Sequence, residues 1–322
     1  MNKAKRIYIA NVFDLGGGPL VLTTLCSTLR ELGYDAKLIV KEYPKYGKSR
    51  GFRRILRNIR IMIYIFLLTK SLIPQKYLAS HPTSFSSSYF KSKIKFQLLP
   101  PKDKNNSIVI YPEIIYGNPL GINNVVRWLL YHHKYYDNYE SYEKNDRFIA
   151  YREIFNDIKL NPQKIIIKQK HFDQSLYKQY NFGPRKGKCY IIRKGRTRQD
   201  LPTTFDGPVF DGNMSDEDFV KILNTCEYCY SYDTQTFYTS IASICGCIPV
   251  VIMEPGKNET DYLTPDEKHF GVAYGDTPQQ IEYAISTRHL LLESLEFEKL
   301  NINNAQILIN YLEQNFGNLR RI

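Results

Sequence analysis

The first forty residues constrain the fold most. "KRIYIANV" (5–12) reads as a buried strand. The tight loop "FDLGGGP" follows, then "PLVLTTLCSTLRELG", in which Leu22, Leu25, Leu29 and Leu32 keep helical spacing and Gly33 suits a C-terminal cap. "DAKLIV" returns to strand. A strand, helix and strand of these lengths make a βαβ unit, which places the two strands parallel in one sheet. The pattern recurs: "NNSIVIYPEI" (105–114) and "PQKIIIKQKHFD" (162–173) read as strands that run into polar loops. The polar, Gly/Pro-bearing "KQYNFGPRKGK" (178–188) reads as a linker. A second series comes after it: "CYIIRKG", a helix over 216–225, "YCYSYD", a helix from about Thr236, "IPVVIM", "FGVAYG" and a helix starting near Thr277. The last segment, 301–322, has helical spacing. No internal repeat interrupts this order. A chain of 322 residues suits about two domains. The expected fold is α/β, with two Rossmann-like domains (1–180 and 181–300) facing a cleft. The 301–322 helix has the option of packing back on the first domain. In open parallel sheets ligands bind at the carboxyl ends of the strands, so the Gly-rich, "YPEI", "RKG" and "SYDT" loops are expected to line the site.

Composition narrows the class. Hydrophobic residues make up 43% of the chain and aromatic ones 14%, as a globular core requires. No window holds ~18 uninterrupted apolar residues, the length of a spanning helix. The N-terminus lacks the apolar block and small-residue cleavage site of a secretion signal. Six cysteines in a chain this long are not a disulfide scaffold. The expectation is a cytoplasmic protein.

The formal charge of +12 is concentrated in one segment. Residues 41–104 carry fifteen Lys and Arg against Glu42 and Asp103, while the remainder, with 29 basic and 30 acidic residues, is balanced. Such a segment points to a local anionic partner. Within it, "RGFRRILRNIRIMIYIFLL" places Arg50, Arg53, Arg54, Arg57 and Arg60 on one side of a helix and Phe52, Ile55, Ile59, Met62 and Phe66 on the other. A cationic amphipathic helix of this kind can lie among the headgroups of an anionic bilayer. Alternatively it packs on its own domain with a solvated basic face. Nucleic acid is disfavoured, since no base-reading motif accompanies the segment. The expectation is peripheral attachment to the inner membrane.

Several stretches carry chemistry. Gly16–Gly18 lie between strand and helix, where backbone N–H groups of Gly17 and Gly18 can approach an anion; the alternative is a plain tight turn. The dinucleotide fingerprint fails at Val21, and no Lys-Ser/Thr completes a P-loop. "IIRKGRTR" sets Arg193, Lys194 and Arg196 after a strand, where they suit a diphosphate or form a solvated basic loop. In "SYDTQTFYTS", Tyr232, Thr234, Thr236, Thr239 and Ser240 suit a nucleotide's phosphates and base, and the Asp233 carboxylate suits ribose hydroxyls. The plain alternative makes Thr236 an N-cap and Asp233 a turn residue. Glu113 follows a strand as a candidate general base, or pairs with Arg127. Asn118 and Arg127 contact acceptor or donor, or only fix their loop. Cys226, Cys229, Cys245 and Cys247 have poor zinc spacing and read as buried thiols. His132 and His133 read as surface or structural residues before a catalytic base.

"GGGPLVLTTLCSTLRELGYDAKLIV" resembles the N-terminal loop and helix of GT-B glycosyltransferases. "SYDTQTFYTSIASICGCIPVVI" resembles their donor-binding signature, and "FGVAYGDTPQQIEYAI" the segment after it. "YPEIIYGNPLGINNVVRWLL" resembles a motif of bacterial surface-polysaccharide transferases of that fold. The resemblance implies a nucleotide-sugar donor held by the C-terminal domain, without a metal or other cofactor. It makes Arg193 and Lys194 the diphosphate pair and gives Asp233 a role at the ribose or sugar. Ile241 stands where the retaining families place a second glutamate, and Arg193 and Lys194 are adjacent, so retention or inversion stays open. The implied acceptor is a lipopolysaccharide, O-antigen or capsule glycan, lipid-linked. A nucleotide-sugar epimerase of the same fold, or a non-enzymatic membrane or nucleic-acid adaptor, is the alternative.

Overall fold

The computed structural model describes residues 3–14, 16–43, 51–74, 90, 92–132, 141–173, 176–264, 267–295 and 297–322. The chain divides into two compact units. Unit 1 comprises Met1–His171 and Phe297–Ile322, and unit 2 comprises Phe172–Glu296. Each is built on a five-stranded, all-parallel sheet, the Rossmann-like pair that the sequence predicts.

In unit 1 the strands are β1 (Arg6–Asn11), β2 (Ala36–Val40), β3 (Ser107–Pro112), β4 (Asn124–Leu129) and β5 (Arg147–Ala150), in the spatial order β2-β1-β3-β4-β5. Side chains alternate across them. Ile7, Ile9, Ile108 and Ile110 face a core shared with α1 (Gly17–Glu31), α2 (Phe52–Thr69) and the last helix, α6 (Phe297–Phe316). Tyr8, Ala10, Val109 and Tyr111 face a second core with Tyr43, Ile115, Leu120 and Ile122. α1 ends where expected: Gly33 sits at φ +83°, a backbone conformation that favours glycine.

Residues 318–321 are stitched to the start of unit 1. The Lys5 amide donates to the Asn318 carbonyl at 2.9 Å, the Arg320 amide to Lys5 at 2.7 Å, and the Asp35 amide to Arg320 at 2.8 Å. The Arg321 guanidinium lies 3.7 Å above the Tyr34 ring.

Two strand expectations change. Residues 162–173 form no strand; Ile166 makes one isolated bridge, to Ala150. The segment instead meets α6 through amide side chains. Asn304 and Asn301 accept from the Lys168 and Lys170 amides, each at 2.8 Å, and Gln169 donates to the Asn301 carbonyl at 2.9 Å. The fourth strand lies earlier, in "NVVRWL".

α2 also differs from the sequence reading. It packs on unit 1 through Ile61, Ile65 and Leu68, which lie on the side assigned to the arginines. Phe52, Ile55, Ile59 and Phe66, assigned to the apolar side, are exposed. Arg57 reaches Glu42 at 3.3 Å and Arg54 is half-buried, while Arg53 and Arg60 are exposed. Arg50 lies outside the described residues. No described helix is long and apolar enough to cross a membrane.

Unit 2 orders β6 (Lys188–Ile191), β7 (Val209–Phe210), β8 (Tyr228–Ser231), β9 (Ile248–Val251) and β10 (Ala273–Tyr274) as β10-β9-β8-β6-β7. Its helices are α3 (Asp216–Thr225), α4 (Tyr238–Ile244) and α5 (Pro278–Glu293). The "YCYSY" alternation separates the two faces of β8. Cys229 joins Cys189, Cys226, Cys245 and Cys247 in the core shared with α3 and α4, and Tyr228 and Tyr230 pack on the other face. All six cysteines are buried free thiols. Among the described residues, no three His, Cys, Asp or Glu side chains come together in a way that could hold a metal ion.

Candidate functional site

The carboxyl edge of unit 2 is organised by Asp233, which is 1% exposed. It follows β8 directly. Its Oδ1 accepts from two successive amides of the neighbouring strand's exit loop, Lys194 N at 2.8 Å and Gly195 N at 2.7 Å. The loop can press this close because residue 195 is glycine: a Cβ there would collide with the Tyr232 carbonyl. The other carboxylate oxygen of Asp233 is buried and makes no hydrogen bond. The structure gives this side chain a role that the sequence reading does not contain. Asp233 ties the exits of β6 and β8 together and fixes the basic loop.

The cations of that loop diverge. Arg193 turns under Gly212, with its guanidinium carbon 5.3 Å from the centre of the Tyr238 ring and its Nε buried without a partner. Lys194 donates from Nζ to the Gln235 carbonyl at 3.1 Å. Arg196 is exposed. A fourth cation, which the sequence does not single out, is structural. Arg198 donates to the carbonyls of Tyr232 (3.1 Å), Ile252 (2.7 Å) and Met253 (3.0 Å), and holds Asp200 at 2.5 Å. It thereby pins the ends of β8 and β9. Only its spacing of two from Asp200 marks it in the sequence.

The hydroxyls after Asp233 are partly used within the chain. α4 begins at Tyr238 and is seven residues long, shorter than expected and without a side-chain cap. Thr236 accepts the Tyr238 amide at 3.3 Å, and Thr239, buried, donates to the Thr236 carbonyl at 2.8 Å. Thr234 and Ser240 are half-buried at the same edge, as is Tyr232, whose ring lies 5.2 Å from the Arg198 guanidinium carbon. Two tyrosines and a carboxylate complete the surroundings of Arg193. Tyr177 donates to Asp216 at 2.7 Å and Tyr238 at 3.4 Å. Burial, which outweighs these hydrogen bonds and the nearby Arg193 charge, raises the Asp216 carboxyl above its ordinary value.

Asp233→Ala leaves the Lys194 and Gly195 amides without their acceptor. A buried donor left unsatisfied costs about 1–3 kcal/mol, so a loss near 2 kcal/mol is expected in unit 2, with faster amide exchange confined to residues 193–198. Hydrogen exchange read by mass spectrometry checks both parts, and unchanged exchange in that loop would count against the clamp.

Unit 1 places its own candidates at the exits of β1, β3 and β4. Glu113 is 3% exposed and accepts the Leu130 amide at 2.9 Å. Burial pushes its carboxyl up to about 7 despite the backbone donors around it. Gly18 faces the Leu130 side chain, while space beside Gly17 is open. α1 has no side-chain cap and no acidic residue in its first turn. Asn11 anchors that turn by donating to the Pro19 carbonyl at 3.0 Å.

Arg127 fits the loop-fixing alternative. It is fully buried, ion-paired to Asp146 at 2.7 Å, and donates to the carbonyls of Ile115 and Gly117. It holds the 113–118 loop, and its carboxylate partner is Asp146 rather than Glu113. Asn118 serves the same loop, accepting from the Tyr111 hydroxyl at 3.1 Å and donating to Ile122 at 2.9 Å. His132 packs edge-on against Phe155, and His133 lies outside the described residues. Within unit 2 the structure thus brings Arg193, Lys194, Asp233 and the hydroxyls to one sheet edge. Within unit 1 Glu113 holds the amide of Leu130, the residue whose side chain faces Gly18.

No family model matches the chain, and no curated protein matches it. Among solved structures, it is similar to a protein from Listeria monocytogenes assigned as a UDP-N-acetylglucosamine 2-epimerase (10% identity, 99% of this chain and 100% of that one, TM-score 0.36). It is similar also to an α-glucosyltransferase in complex with UDP and a 13-mer DNA containing an HMU base (12%, 97% and 96%, TM-score 0.40). A third is a glycosyltransferase from Rickettsia africae (10%, 98% and 95%, TM-score 0.38). The likeness runs the length of each chain and is shallow in both sequence and superposition.

Proposed function

We propose that the protein is a glycosyltransferase that takes a sugar from a nucleotide diphosphate donor, with unit 2 as the donor-binding unit. One observation carries this reading: Asp233 fixes the Arg193–Arg196 loop at the carboxyl edge of a parallel sheet, where such sheets bind nucleotides. A loop fixed before binding, its Lys194 and Gly195 amides held by Asp233, presents its cations to a leaving diphosphate. Arg193 and Lys194 stabilise that leaving group, with Thr234 and Ser240 as further contacts. Glu113, titrating near neutrality, suits a base for the acceptor hydroxyl. The acceptor in this reading is a bacterial surface glycan carried on a lipid at the inner face of the membrane.

Thermal shift with UDP, GDP and ADP tests the donor site, since a ligand of the folded state raises its stability by mass action. Arg193→Ala combined with Lys194→Ala is expected to weaken the preferred diphosphate about a hundredfold. A charge-assisted hydrogen bond contributes about 1.5–3 kcal/mol, and exposed Lys194 belongs at the low end. Unchanged affinity would remove the assignment. Incubation with nucleotide sugars alone separates transferase from epimerase, because product formed without an acceptor belongs to the latter.

A further inference from the structure

We propose that the outward ridge of α2 is a lipid-docking surface that seats in the headgroup region of an anionic bilayer. α2 is apolar on two opposite sides. At 100° per residue, Ile61, Ile65 and Leu68 cluster on one side and are buried in unit 1. Phe52, Ile55, Leu56, Ile59, Ile63 and Phe66 fall within an arc of about 100° on the other. All six are exposed, among them Phe52 at 71%, Ile63 at 54% and Phe66 at 49%. They run about 21 Å along the helix at 1.5 Å per residue. Single exposed apolar residues are ordinary, whereas a continuous row marks a partner surface.

Charge identifies the partner. The helix carries four arginines and no carboxylate, inside the segment that holds the chain's whole excess of positive charge. Arg57 is neutralised by Glu42. Arg53 and Arg60 lie exposed along one flank of the ridge. Phosphate headgroups above acyl chains match a cationic flank beside an apolar row. A second copy of the chain does not, because pairing two ridges would set the same arginines against each other. Nucleic acid offers phosphates but nothing for the ridge. The inference deepens the transferase reading only in naming where a lipid-linked acceptor would be met; the binding itself does not rest on it.

The test is cosedimentation of the full chain with large vesicles of phosphatidylcholine, with and without about a third phosphatidylglycerol. Binding is expected on the anionic vesicles only, and to weaken as salt rises. Each basic residue near such a surface is worth about fivefold in affinity, so Arg53→Ala with Arg60→Ala should cost about thirtyfold. Ile59→Ser, Ile63→Ser and Phe66→Ser together should cost at least about a hundredfold, because each removes a large apolar side chain from the bilayer. The lone tryptophan, Trp128, is buried in unit 1 and reports by its fluorescence that the variants are folded. Equal binding to both vesicle types, no binding to either, or a concentration-dependent dimer that the ridge variant dissolves would each overturn the proposal. The nucleotide diphosphate thermal shift is a separate readout: its absence with vesicle binding intact counts against the donor site and leaves the ridge standing.

Discussion

Arg127→Met is expected to destabilise unit 1 by about 4 kcal/mol. The guanidinium is fully buried in the middle of β4, between the rings of Tyr111 and Tyr142 at 5.0 and 5.3 Å. Removing it leaves Asp146 as an uncompensated buried charge, and breaking one side of a buried pair costs about 3–5 kcal/mol. The carbonyls of Ile115 and Gly117 lose their donor as well. Adding Asp146→Leu removes the orphaned charge and should recover roughly half of the loss, the remainder belonging to those carbonyls. Urea unfolding followed by Trp128 fluorescence reads this directly, since the indole is adjacent in β4. A single variant as stable as the parent would show that the pair is dispensable.

The second large effect concerns pH. Glu113 titrates near 7 in the fold against an ordinary 4.5, because burial penalises the carboxylate. Between those values the folded chain keeps a proton that the unfolded chain has released. The contribution to stability is therefore fully present below about pH 4.5 and is lost as pH rises through 7. At 1.36 kcal/mol per pH unit of displacement the total is about 3 kcal/mol. Glu113→Gln, which keeps an oxygen for the Leu130 amide, should match the parent near pH 4.5 and lose the dependence above it. Urea midpoints from pH 4.5 to 8 compare the two, and parallel profiles would contradict the buried-proton account. If Glu113 is also the base, turnover by the parent should rise through the same window and the Gln variant should lack that limb.

Much of the fold is legible because β-branched runs between polar loops usually become buried strands. The failures share a physical cause, which is that a distant partner changes what a local pattern means. "NVVRWL" hides its strand behind a charge that Asp146 neutralises nineteen positions later in the chain. "KIIIK" has strand composition, yet the amide of its last residue, Lys168, and that of Lys170 just beyond go to asparagines of α6. The periodicity of α2 displays two apolar stripes, and nothing local says which one the domain takes. The candidate site divides in the same way. Arg193, Lys194 and Asp233 can be picked out by type and position, because a basic loop and an acid at strand exits are sequence-visible. That Asp233 clamps the basic loop depends on the adjacency of β6 and β8, which are about forty residues apart in sequence. Arg198 is hidden for the same reason, since its carbonyl partners belong to β8 and β9 exits.

The seam between residues 5 and 318–320 has a bearing on biosynthesis. The sheet of unit 1 is translated early, but α6, whose Ala305, Leu308, Ile309 and Leu312 belong to its core, and the tail that caps Lys5 leave the ribosome only after all of unit 2. The nascent sheet, already covered on that side by α1 and α2, therefore waits through the synthesis of unit 2 for the last helix of its core, while unit 2, whose residues are contiguous, can close on itself. A stop codon even a few dozen residues ahead of that seam removes the last helix along with the tail, and is expected to leave the core of unit 1 incomplete.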